Sequence, residues 1–525
     1  ARTHTRVLDR ANHCIRPVPS FEIHASSLFA ACIVANALRP TFGSNDPARQ
    51  SGAEILDGLN ISNWAGVMMV DLARRQSETI GDGSSTAVII CGAFLQAASR
   101  LLEGGKSVAT IEKCLTDTAD EAVRMMTDCA KPVDVTDPDV ITNLCSGAPI
   151  HLPDDPSSSR VLITAAVDSI LDLDQQSPDG MVCPNLENIR IVSESWGKSS
   201  DSKVFSGILL QRPTDLVTEF APVSVVNANV ALIRYWLLKS NVGEEQGKRS
   251  RENILKEDRK RILNDCRLIK KSGARVVLIT KDEHGDESSG EDDVNLKICV
   301  HYLAKMDIMA ISDLEEAQVR SVGRLLGCAS ISHPSELTAQ VLGRAERVDE
   351  VNSPAGNAWV HFVGTDSPSS TVVVHGSSEE ELAGGRRSVG SVLTFVGNLF
   401  RDPSVLPGCG FEVEASLRLK QRVPSLDADR SECVTAFANA LEIVPYTLAE
   451  NMGLPPEEIV VELRRRHAQG QDAAGLSLKH RAVVDSMHDV GTVQPLAVLV
   501  SAVQLAATTA NRILGMDVGI DEGGC

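Results

Sequence analysis

The stretch Gly81-Asp82-Gly83-Ser84-Ser85-Thr86 has the residue types and spacing to handle a phosphate. Two glycines let the backbone turn and come close to a ligand. The N–H groups opening the next helix, with its positive dipole end, suit an anion. Ser84, Ser85 and Thr86 add hydroxyl donors, and Asp82 can hold Mg²⁺ between phosphates. The same residues also describe a helix–helix turn with a hydroxyl N-cap. No Gly-Lys-Ser/Thr directly follows, so the stretch is not a Walker A loop. A second glycine site, Gly408-Cys409-Gly410, follows Pro407 and precedes a helix from about Glu412. It gains meaning as a ligand site only if it faces the first, and is otherwise a structural turn.

Other chemistry finds little support. The 13 cysteines contain no Cys-x-x-Cys pair, which argues against a metal cluster. They read as reduced thiols of a cytosolic protein, most of them buried. His24, His301 and His467 stand alone in sequence and read as structural or surface residues, and no nucleophile–base pair appears. The net charge of −19 disfavours nucleic acid and anionic membranes.

The elements that must position these sites follow from periodicity. Trp64, Val67, Met68 and Leu72 predict an amphipathic helix ending before Gly81. A more apolar helix runs from about Ser84 to Leu102 and stops at Gly104–Gly105. Gly243–Lys271 is charged and helical in spacing, as a solvated helix would be. Arg275–Thr280 predicts a strand, Lys281–Asp293 an acidic loop, Asn295–Ala304 a helix and Ile308–Ile311 a strand. Ser312 and Glu315 form a capping box for a helix that Gly327 ends. Thr371–Val374 reads as a strand before a helix reaching about Phe400. In the C-terminal region, Glu457 and Glu458 open a helix and Arg464–Arg466 and His467 close it, matching the helix dipole. Val490–Asn511 is uncharged but holds Gln494, Pro495 and Ser501; it reads as a core helix starting at Pro495 rather than a membrane span. The start, ARTHTRVLDR, lacks the apolar run of a signal peptide. With 525 residues about three domains are expected, and at 3 % aromatic residues their cores must be aliphatic.

Several segments resemble the group II chaperonins, the family of the thermosome and the eukaryotic t-complex chaperonin (TRiC/CCT). GDGSST is similar to their GDGTT phosphate loop. VVVHGSSEEEL is similar to their strand, glycine and helix returning from the apical domain, and LPGCGFEVEASLRL to their triple-glycine segment. FANALEIVPYTLAENMGL resembles a late equatorial helix of the family. ELRRRHAQG, Ala474-Gly475 and VQPLAVLVSA are most like the family's delta-subunit branch. The likeness weakens in Pro149–Leu186 and Val242–Glu252.

The resemblance implies a multidomain α+β chain. A mostly helical equatorial domain would span 1–131 and 401–525, and a small α/β intermediate domain 132–203 and 371–400. An α/β apical domain, 204–370, would carry a helical protrusion that includes Gly243–Lys260. It implies ATP or ADP with Mg²⁺ on Asp82, and nucleotide contacts from Gly43, Gly81, Gly83, Ser84, Ser85, Thr86, Gly408 and Gly410. It also implies paralogous subunits in a double ring, unfolded clients such as actin and tubulin, and a cytoplasmic location. The family's Leu-Gly-Pro-x-Gly loop reads Phe42-Gly43-Ser44-Asn45-Asp46 here. Its Asn-Asp-Gly-Ala-Thr motif reads Gln50-Ser51-Gly52-Ala53-Glu54, so Ser51 stands at the aspartate's place. Ser391 stands where the family has the aspartate that positions the attacking water, and Gly147-Ala148 replaces a Thr-Ser pair near the hinge. The expectation is a ring subunit that binds nucleotide and hydrolyses it weakly or not at all. A chaperonin-derived scaffold or adaptor outside the ring is the alternative.

Overall fold

The computed structural model describes residues 20–43, 51–147, 152–153, 155–176, 185–212, 221–234, 251–280, 290–331, 336–353, 356, 358–425 and 427–519. The chain divides into two compact units. One comprises Ala1–Val135, Gly147–Pro149 and Asp402–Cys525; the other comprises Thr136–Ser146 and Ile150–Arg401.

The first unit is mainly helical and joins both ends of the chain. Its central helix, Ser84–Glu103, packs against Ser20–Leu38, Trp64–Thr79, Ala428–Leu441 and Leu496–Gly519. Small residues let two helices come close: a Cβ on Gly92 would lie 2.4 Å from the Cβ of Ala35. The core is largely aliphatic, with one edge-to-face aromatic pair, Phe94 and Phe437, 5.8 Å apart. Ser84–Glu103 and Leu496–Met516 are long and apolar enough to cross a membrane, but they pack on each other inside this core. A three-stranded antiparallel sheet, ordered Lys131–Pro132, Ser404–Pro407, Val493–Pro495, ties the middle of the chain to its end.

Three expectations for this unit are corrected. Trp64–Thr79 is a helix, but it buries Ala65, Met69, Leu72, Ala73 and Gln76, while Val67 is 40 % exposed. Trp64 and Met68 pack half-buried against the same core, so of the expected stripe only Val67 turns outward. The C-terminal helix starts at Leu496, because Val493–Pro495 is held in the sheet. The helix Ser84–Glu103 is capped by Gly83 in the left-handed region, φ +77°, and not by a hydroxyl.

Among the described residues the second unit holds two sheets. The larger has seven strands: Ile208–Arg212, Ala358–Thr365, Gly343–Asn352, Ser224–Ile233, Val276–Thr280 and Met309–Leu314 lie side by side in that order, and Ser330–Ile331 also pairs with Ser224–Ile233. All of Val276–Thr280 is buried, as in a strand covered on both faces. Its residues alternate between two cores: Val276 and Leu278 join Val319 and Val322 of the helix Glu316–Leu326, while Val277 and Ile279 join Ile262 and Cys266 of the helix Arg251–Ser272. The smaller sheet places Ser370–His375 between Ile189–Glu194, parallel, and Lys203–Ser206, antiparallel. The helices Pro156–Gln176 and Glu379–Arg401 pack together beside it.

Here too the structure revises local readings. Arg251–Ser272 is not a solvated helix along its length, since Ile262, Cys266 and Ile269 are core residues; 243–250 lie outside the described residues. Gly290–Lys305 is one helix that begins inside the expected acidic loop, whose residues 281–289 are not described. The helix Glu316–Leu326 is capped by Glu315 with Gln318, because Ser312 is buried in the preceding strand. Gly327 ends it at φ +67° as expected.

Candidate functional site

The Gly81–Thr86 turn sits in the helical unit between Trp64–Thr79 and Ser84–Glu103. Gly81 and Gly83 have φ of +81° and +77°, a region open to glycine at little cost. The turn is fixed by Gln76, which is fully buried. Its Nε2 donates to the carbonyls of Asp82 (2.9 Å) and Val498 (3.3 Å), and its Oε1 accepts from Ser501 Oγ (2.7 Å). Nothing in the sequence periodicity singled out this glutamine; a polar residue on the buried stripe of an amphipathic helix was the available signal. Asp82 is exposed, and its Oδ1 accepts the Gly83 N–H at 2.6 Å. Ser84 is buried in the first helical turn, whereas Ser85 and Thr86 are half-buried.

Ser51 lies close by. A Cβ on Gly52 would stand 2.3 Å from Ser85 Oγ, so the backbone after Ser51 rests on the first turn of Ser84–Glu103. Ser51 caps the short helix Gly52–Asp57: its Oγ accepts from the Glu54 N–H at 3.2 Å, and the Ser51 N–H donates to Glu54 Oε2 at 2.9 Å. A serine is a good N-cap, so this hydroxyl has a structural role of its own. Ser44, Asn45, Asp46 and Gln50 lie outside the described residues.

Gly43, φ +70°, faces Leu448, and its neighbour Phe42 joins the apolar cluster that includes Leu448, Leu476 and Cys409. That cluster brings the start of the first loop beside the second glycine turn. Gly408 and Gly410 are buried, and Cys409 between them takes φ +52°. The Gly408 N–H donates to Thr492 O at 3.1 Å, and a Cβ on Gly410 would lie 2.2 Å from Ala474 O. These glycines therefore let three backbone segments meet. The strand that follows Thr492 leads into Leu496–Gly519, whose Val498 touches Gly83. Burial pushes the Cys409 thiol up to about 12 and makes it a poor nucleophile. Burial also pushes the Glu412 carboxyl up to about 7, against the pull of backbone N–H groups of Glu412 and Gly410. Glu412 appeared in the sequence only as an acid near a helix start.

Ser391 stands half-buried on the helix Glu379–Arg401 of the second unit. Gly147 ends the helix Pro138–Gly147, and Ala148 is outside the described residues. Among the described residues no three His, Cys, Asp or Glu side chains gather as a metal site. A cation carried by a nucleotide fits this donor set: Asp82 offers one hard oxygen ligand at the lip of the loop, and phosphate and water supply the rest. Of the histidines, His467 is buried 3.0 Å from Glu414, and His301 is half-buried against Tyr302. Ten described cysteines are free, seven of them buried, in line with small apolar side chains.

A family model for the TCP-1/cpn60 chaperonins matches residues 48–522. The chain is 30 % identical to T-complex protein 1 subunit delta of Homo sapiens, covering 94 % of this chain and 93 % of that protein. It is 32 % identical to the subunit of the same name in Schizosaccharomyces pombe, over 94 % and 95 %. Among solved structures it is similar to the open-state monomer of a group II chaperonin from Methanococcoides burtonii, with a TM-score of 0.63 at 24 % identity, covering 83 % of this chain and all of that one. That likeness shows the fold.

Proposed function

The chain belongs to the TCP-1/cpn60 chaperonin family, and from that premise we propose that it serves as a delta-like subunit of the cytoplasmic hetero-oligomeric chaperonin, assisting the ATP-dependent folding of clients such as actin and tubulin while hydrolysing ATP weakly or not at all. Its neighbours in the double ring are paralogous subunits. The division into equatorial (1–131, 401–525), intermediate (132–203, 371–400) and apical (204–370) domains belongs to this reading. It is supported by a helical unit made of both chain ends and by two separate sheets in the other unit.

ATP or ADP is held by Gly43, by the N–H groups and hydroxyls of Gly81–Thr86, and by Gly408 and Gly410. Bound Mg²⁺ would neutralise phosphate charge, with Asp82 as its protein ligand. The rest falls to this chain's residues. Gln76 fixes the Asp82 carbonyl and so sets the direction of the following N–H groups. The positive end of Ser84–Glu103 favours the anion. What is missing is a base. The observation that carries the reading is the Ser51 hydroxyl, already committed as acceptor to the Glu54 N–H and lacking a carboxylate's ability to take a proton. Serine also stands at 391. Losing a positioned base costs about 10²–10⁴-fold in rate. In rings whose other subunits cannot hydrolyse, single-turnover ATP hydrolysis by this chain should be slower by about that factor; a rate equal to an intact subunit's refutes the reading. The degenerate motifs also suit an adaptor outside the ring. Native mass separates the two, since the adaptor runs as a monomer or small complex and the subunit as a large hetero-oligomer.

A further inference from the structure

The chain is poor in aromatic residues, with four tryptophans in 525 residues, yet two of them line one cavity in the second unit. The cavity, of about 280 Å³, lies at the seam between the three-stranded and the seven-stranded sheet. Glu194 and His375 come from paired strand ends of the smaller sheet, and Trp359 from the larger. Trp359 Nε1 donates to Glu194 Oε1 at 3.2 Å across the seam. Glu194, His375 and Trp359 are each no more than 6 % exposed. Trp196 stands edge-on to His375, with ring centres 5.8 Å apart, and is 41 % exposed at the mouth. Phe205 adds a further ring, and Lys203 stands exposed at the rim.

We propose that this cavity binds a small organic cation, an ammonium group on an aromatic or compact apolar body. The wall mixes rings and aliphatic side chains with the carboxyl groups of Glu194 and Asp201, and a carboxyl as buried as that of Glu194 acts through a lower dielectric than water and favours a positive partner. Ring faces add attraction for the same charge. Lys203 opposes this little, because a rim lysine is solvated and screened. His375 lies 3.6 Å from Glu194 Oε2, and its Nδ1 makes no hydrogen bond, so the pocket wall retains polar capacity that a ligand can engage. The volume suits an arylalkylamine.

The site goes beyond the chaperonin reading and does not need a ring, so its test runs on the full chain alone. Phenethylammonium and its neutral analogue 2-phenylethanol would be titrated with tryptophan fluorescence and ligand-detected NMR. The cation should bind saturably and at least about tenfold more tightly than the alcohol. Glu194→Gln keeps an acceptor for the Trp359 N–H, and should bring the two ligands within about threefold of each other. Trp196→Ala, at an exposed position, should weaken the cation at least about fivefold even if the first variant does not fold. Absence of saturable binding, equal affinity for the two ligands, a preference that survives Glu194→Gln, or no loss in Trp196→Ala would each overturn the proposal.

Discussion

The helical unit contains two glycine turns that lead into helices, each with one carboxyl group beside it. In Gly81–Gly83 both glycines take positive φ, Gly81 is exposed, and the carboxylate of Asp82 faces solvent. In Gly408–Gly410 the positive φ falls on Cys409, both glycines are buried, and the Glu412 carboxyl is 2 % exposed. The first turn uses its glycines for conformation, with the Gly81 N–H on Gln76 O and the Gly83 N–H on Asp82 Oδ1. The second spends them on contact, letting the backbone of Ala474–Gly475 and Thr492 close around it. Two similar-looking motifs thus differ in what they tolerate. The first should fail through lost ligand binding, and the second through lost stability.

The largest expected effect is at Glu412. Its carboxyl titrates near 7 in the folded protein and near 4.5 in the unfolded chain, so the folded state holds the extra proton between those values. The stability it contributes is full below about pH 4.5 and is lost as pH rises through 7. Glu412→Gln should flatten that slope, changing the stability difference from the parent by about 3 kcal/mol between pH 4 and 8 in urea titrations. A parallel pH profile for the two proteins would show that the second turn is not closed to water.

Gly410→Ala comes next. The added Cβ meets a backbone carbonyl, which cannot rotate away, and should cost about 2–3 kcal/mol in unfolding free energy. Gly83→Ala meets the movable Val498 side chain but forces alanine to φ +77°, so about 1–2 kcal/mol is expected, with weaker nucleotide binding as well. If Gly83→Ala costs more than Gly410→Ala, the contrast between the turns is wrong. The smallest stability change is expected for Asp82→Asn, within about 0.5 kcal/mol. The same variant should lower Mg²⁺-dependent nucleotide affinity about tenfold, as for one charge-assisted contact, measured by isothermal titration.

Local chemistry was well written in the sequence. The helix after Gly83, its stop at Gly104–Gly105, the strands at 275–280 and 371–374 and the cap at Gly327 all follow from residues within a few positions of one another. Readings failed where a distant element decided. The buried face of Trp64–Thr79 is chosen by the helices around it, and Ser312 is claimed by a sheet before it can cap. The site behaved the same way. The glycine turns could be placed from their residues, but Gln76 acts through partners more than 400 residues away, and Glu412 acquires its altered titration only when buried. The use of Ser51 as a helix cap depended on the backbone and was not legible.

Gln76 also bears on the order in which the protein is made. Two of its three partners, Val498 and Ser501, are synthesised 422 and 425 residues later. While the chain is still emerging from the ribosome, the Gly81–Gly83 turn has its glycines but not its distant anchor. The turn can reach its final shape only after the last long helix is complete and has docked. A truncated or stalled chain would then carry a loosely held loop, with Gln76 uncovered where the last helix should pack and keeping only its local bond to Asp82.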